Sequence, residues 1–156
     1  MGYRLFSVPG GVHPEMGHTS CGIDSDIRCY CGKTNCMENI LSGTAVNRDA
    51  KRFFGCMPED IFEHPDTEDK RRFCDNIIHG LFNSVTTLSG IFNSRIVILS
   101  GGMTDFYRKY ALEPLREQVK LLEPGISVVP EVVTAKLGKD SGRIGAAVLA
   151  KMNYKG

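Results

Sequence analysis

The chain has 156 residues, enough for one domain that buries a real core. Its 19 Lys and Arg nearly balance 18 Asp and Glu, which gives no footing to a nucleic-acid, anionic-membrane or strongly acidic partner. No apolar run is long enough to span a bilayer, and residues 1–6 lack the apolar core of a signal peptide, so a cytoplasmic location is expected.

Residues 1–35 are rich in Gly, Pro and polar side chains. A short strand is expected over residues 3–8, followed by a long ordered loop. A loop of that length needs something to hold it, or carries function. Over residues 38–54, Ile40, Leu41, Val46, Ala50, Phe53 and Phe54 fall at helical spacing, with Gly55 as a stop. Residues 58–65 read as a connector containing the apolar pair Ile61-Phe62.

Asp66 or Thr67 can cap the next helix. Its buried stripe is the strongest in the chain: Phe73, Ile77, Leu81, Val85, Leu88 and Phe92, ending near Asn93. Residues 95–99 are continuously apolar after Arg95 and predict a strand buried on both faces. Ser100-Gly101-Gly102 breaks it. Residues 104–122 are helical, with Pro114 forcing a kink or restart. A second strand is expected over 126–133, where Pro130 implies an edge or irregularity. Residues 141–154 form a last helix whose small face (Gly142, Gly145, Ala146, Ala147, Ala150) predicts close helix packing. The alternation of helices and strands implies an α/β fold with parallel strands and helical crossovers in a single domain, residues 1–156.

Six cysteines stand out in a reducing compartment, where clustered thiols point to metal or redox chemistry. Cys56 and Cys74 lie in helical surroundings and read as ordinary buried thiols. Cys29, Cys31 and Cys36 crowd one polar loop. Two cysteines one residue apart, followed by Gly32, can turn both sulfurs toward one ion, and Cys36 returns to supply a third. Zinc takes four such ligands in a tetrahedron. Spacing leaves the fourth open between Cys21 and His18. A redox pair would more naturally be Cys-x-x-Cys.

Glu15-Met16-Gly17-His18, followed by Cys29-Tyr30-Cys31-Gly32-Lys33-Thr34-Asn35-Cys36-Met37-Glu38, resembles the paired signature of the ROK family of sugar kinases and repressors. Ser42-Gly43, the stretch 96–102 and the stretch 142–147 resemble further family segments, so the likeness runs from about residue 13 to 152. The stretch 13–18 looks most like fructokinase-type members, with glucokinases close.

The resemblance implies a partial actin-like, RNase H-like ATPase lobe with a zinc loop over residues 13–38. It implies that His18, Cys29, Cys31 and Cys36 hold a structural zinc, and that Glu15, His18 and Glu38 face a hexose. It places the adenosine end of ATP, used with Mg2+ in a complete kinase, near Gly101 and Gly102. Read alone, Glu15 is better taken as a solvated loop charge, Glu38 as a helix N-terminal acid and Gly101-Gly102 as a plain turn.

One departure is large. Kinases of this kind carry an N-terminal lobe with an Asp-x-Gly phosphate loop and a catalytic Asp, and Asp24, Asp26 and Asp140 do not match that element. The expectation is therefore the C-terminal half of a hexose kinase, inactive alone, with no catalytic residue of its own. A sugar-sensing module of a repressor and a zinc-stapled remnant with a binding role are the alternatives. Apolar surface left uncovered would favour homo-oligomers or pairing with an N-terminal lobe.

Overall fold

The computed structural model of the chain describes residues 14–123 and 129–153. The strand expected over 3–8 and the first part of the second strand lie outside them. A 3-10 turn, Met16–His18, opens the described chain. It is followed by α1 (Met37–Leu41), α2 (Gly43–Phe54), α3 (Pro58–Glu63), α4 (Glu68–Phe92), β1 (Ile96–Leu99), α5 (Thr104–Tyr110), α6 (Leu112–Lys120), β2 (Glu131–Thr134) and α7 (Ser141–Asn153).

The central helix forms where its caps and stripe predict. The Thr67 side chain accepts from the Lys70 N–H at the start of α4, and Asn93 closes its end in the left-handed conformation, φ 50°. Ile77, Leu81 and Val85 are buried, each contributing roughly 1.5–3 kcal/mol of burial. Phe73 and Leu88 are half-buried and Phe92 is exposed, so the stripe is a core element only over its middle turns. Gly80 lets α1 approach: a β-carbon there would lie 3.1 Å from Leu41 Cδ2.

Three helical expectations change in detail. The helix expected over 38–54 is two, because Ser42 leaves helical geometry and its hydroxyl accepts from the Ala45 N–H, capping α2. The carbonyl of Leu41, released by that break, accepts from the buried hydroxyl of Tyr107. The supposed connector 58–65 contains a helix, α3, with Pro58 at its first position, where no N–H is needed. The restart attributed to Pro114 falls at Ala111, which puts Pro114 in the first turn of α6.

β1 and β2 pair in parallel, with Ile96 opposite Glu131 and Leu99 opposite Thr134, and α5 and α6 cross over between them. The expectation that β1 is buried on both faces is overturned. Val97 and Leu99 pack on the core, while Ile96 and Ile98 are 54% and 61% exposed. Among the described residues only one face of this strand is covered. The small face of α7 is likewise not used for close packing: nothing described lies within 4 Å of a β-carbon built at Gly142 or Gly145. Cys56 and Cys74 are half-buried rather than buried, and desolvation pushes the Cys74 thiol up to about 11. No described helix is long and apolar enough to cross a membrane.

Two glycines in this fold should respond oppositely to alanine. Gly22 sits at φ 77°, and a β-carbon there would lie 2.6 Å from Asn83 Nδ2, the donor to the Cys21 carbonyl. Gly90 is helical with open space around it. Gly22→Ala is expected to lower stability by about 1–3 kcal/mol, and Gly90→Ala to raise it by about 0.5–1 kcal/mol, read by urea unfolding.

Candidate metal centre

The loop that carries the cysteines is built around a tight turn. Gly32 N–H donates to the Cys29 carbonyl (2.9 Å) and Cys29 N–H to the Lys33 carbonyl (2.8 Å). Gly32 takes φ 89°, a conformation that closes the turn at low cost only for glycine. The far end of the loop is held as a short bridge: Ser20 pairs with Cys36, Cys21 N–H donates to the Asn35 carbonyl, and Met37 N–H to the Thr19 carbonyl. This geometry brings Cys36 and the start of α1 beside the Met16–His18 turn.

His18, Cys29, Cys31 and Cys36 converge, with one ligand atom from each lying within 4.8 Å of all the others. The Sγ atoms of Cys31 and Cys36 are 3.8 Å apart, and Cys29 Sγ is 3.8 Å from His18 Nδ1. Two sulfurs at about 2.3 Å from a tetrahedral zinc lie about 3.8 Å apart, so the donor set fits such an ion in both chemistry and spacing. Cys21 is elsewhere: it is fully buried in the apolar core, with its thiol toward the Asn35 carbonyl. Of the two candidates for the fourth position, the structure brings His18 to the three thiols.

The thiols differ in environment. Hydrogen bonding from the Lys33 backbone holds the exposed Cys31 below the usual thiol range, whereas desolvation pushes Cys36 up to about 11. The other ring nitrogen of His18, Nε2, points away from the sulfurs. It lies 3.8 Å from Glu15 Oε2 and 2.6 Å from the Tyr30 hydroxyl. Glu38 is on the same side, its Oε2 3.9 Å from where a β-carbon of Gly17 would stand. Glu15 and His18, from one turn, and Glu38, from the start of α1, therefore lie near one another, contributed by two segments of the chain.

Gly101 and Gly102 lie far along the sequence but close to the same unit. Gly101 takes φ 99°, and its carbonyl accepts from the Thr104 hydroxyl at 2.7 Å. The Met103 side chain that follows reaches within 3.1 Å of a β-carbon built at Gly43. The letters Asp-x-Gly do occur at Asp140-Ser141-Gly142, but Asp140 there ends a 3-10 turn and bonds Arg143 at 2.6 Å. Asp26 is bound by Arg52 (2.6 and 2.9 Å).

The sequence profile of the ROK family matches residues 1–153. The chain belongs to the ROK family. An N-acetyl-D-glucosamine kinase of Pectobacterium carotovorum is 28% identical to this ROK chain, over 92% of it and 51% of the relative. A glucokinase of Thermotoga maritima is also 28% identical, over 97% and 53%. The fold matches that of a ROK hexokinase from Thermus thermophilus with a TM-score of 0.71 at 24% identity, covering 96% of this chain and 51% of that one. The chain spans about half the length of the relatives it matches.

Sequence reasoning missed the residue that ties this loop down. Asn39 is 4% exposed, and its amide donates to the carbonyls of Ile27 (2.7 Å) and Thr34 (3.0 Å). Arg48 in turn donates to the Asn39 side chain and backbone, and pairs with Asp49. No local signal marks an asparagine three residues into a helix as a long-range clamp. Asn39→Ala is expected to cost about 2–4 kcal/mol and to speed tryptic cleavage at Arg28 and Lys33, followed by mass spectrometry.

Proposed function

We propose that this chain is the hexose-binding, zinc-stapled half of an ATP-dependent sugar kinase. The observation that carries this reading is the two-sided position of His18, with Nδ1 3.8 Å from Cys29 Sγ in a cluster with Cys31 and Cys36, and Nε2 3.8 Å from Glu15. Membership of a family whose named relatives include glucokinases and amino-sugar kinases supplies the chemistry.

His18, Cys29, Cys31 and Cys36 would hold the metal. Zinc, when bound, supplies a fixed centre of positive charge that keeps the thiols ionised and the ring in one orientation. The remaining work falls to the chain itself. Nε2 of His18 bonds a sugar hydroxyl, and the carboxylates of Glu15 and Glu38 accept from neighbouring hydroxyls. Hydrogen bonds to a carboxylate are the stronger, charge-assisted kind. The exposed Gly101-Gly102 turn leaves its backbone open to a nucleotide, ATP with Mg2+, arriving beside the same unit.

Phosphoryl transfer depends on positioning the phosphates and on a base for the attacking hydroxyl. Asp26 and Asp140 are each engaged by an arginine, and Asp24 accepts from the Thr34 hydroxyl at 3.5 Å. The phosphate loop and the base are therefore assigned to the half of the relatives that this chain does not match.

Purified protein is expected to carry about one zinc per chain by elemental analysis, and a strong chelator should lower its melting temperature. His18→Ala should cut both metal content and that chelator effect. Undiminished zinc in the variant would remove His18 from the ligand set. In an ATP-coupled assay with fructose, glucose and N-acetylmannosamine the isolated chain should show no turnover, and steady phosphorylation of any of them would refute the division of labour.

A further inference from the structure

Tyr30 is the one residue of the cysteine turn with no role in the reading above. It sits at the tip between two thiols, and its side chain is 84% exposed. Its contact with His18 is specific. The phenol oxygen lies 2.6 Å from His18 Nε2, and the two rings meet edge to face, with centroids 4.7 Å apart and planes at 82°. Among the described residues, no other hydrogen bond holds the Tyr30 side chain.

A phenol can donate and accept a hydrogen bond, as a sugar hydroxyl can, so it satisfies Nε2 in either tautomer of the ring. The carboxylate of Glu15 stands 3.8 Å from the same nitrogen. The Tyr30 hydroxyl thus occupies the position, and makes the bond, that the proposed hexose site assigns to substrate.

We propose that Tyr30 is a substrate-site residue that sets hexose affinity by competition: its hydroxyl caps His18 Nε2 in the free protein, and a sugar hydroxyl must replace it to bind. The inference rests on the hexose-site reading. Because the ring is exposed and held by a single hydrogen bond, it can swing out without disturbing the core. The penalty to the sugar is the loss of one ordinary hydrogen bond, about 2- to 10-fold in Kd.

Tyr30→Phe keeps the ring and removes only the hydroxyl. Titration calorimetry with glucose and with N-acetylglucosamine on the full chain should show the variant binding about 2- to 10-fold more tightly than wild type. Equal or weaker binding by the variant, with wild-type binding intact, overturns the competition and leaves the hexose site standing. Failure of both proteins to bind either sugar overturns the hexose site and the competition together. Nitrogen-15 spectra of the His18 ring give an independent readout. The Nε2 resonance should shift on Tyr30→Phe with no sugar present, and an unchanged resonance would show that the phenol does not cap the ring.

Discussion

The amide of Asn39 is the contact on which the candidate site depends. The loop between Thr19 and Cys36 has few apolar side chains to bury, so the hydrophobic effect alone cannot fix its path. Hydrogen bonds must do it. Asn39 reaches from the buried face of α1 to two loop carbonyls 12 and 5 residues away, and Arg48 from α2 holds the amide in place. Left unpaired, those buried groups would each cost more than their bonds contribute, which makes the arrangement close to all-or-none. The loop is thereby rigid where its four metal-capable side chains meet.

Rigidity matters because the proposed function uses both edges of one small ring, His18 Nδ1 beside the Cys29 thiol and Nε2 beside Glu15 and Tyr30. Lys33 adds a second restraint, its ammonium donating to the His18 carbonyl at 2.8 Å. The same lysine's backbone N–H lowers the Cys31 thiol, so one residue orients the histidine and favours ionisation of a neighbouring sulfur. The helix break at Ser42 belongs to the same design. It frees the Leu41 carbonyl for Tyr107 and seats Gly43 against Met103, which locks α1 and α2 to the Gly101-Gly102 turn.

β1 and α7 are less completely covered. Ile96 and Ile98 on β1, and Ile144, Val148 and Met152 on α7, all present apolar surface to water. Exposed apolar side chains that gather into one patch mark interaction surfaces. The ROK relatives are about twice the length of the matched region, so in them a comparable amount of further polypeptide is available to such a face.

What the sequence determined by itself was local. Thr67 and Asn93 bound α4 because capping acts within one turn, and Gly55 ends α2 for the same reason. The periodic stripe placed Ile77, Leu81 and Val85 in the core, and the crowding of Cys29, Cys31 and Cys36 marked a metal-capable loop. Tertiary structure decided what depends on the path of the backbone between distant segments. It set His18 rather than Cys21 beside the thiols, left Ile96 and Ile98 of β1 exposed, made Asn39 the clamp of the loop, and brought Tyr30 onto Nε2 of His18. Spacing along a chain fixes which side chains share a turn or a helix face. Which of them meet across 12 or more residues follows only from how the whole chain packs.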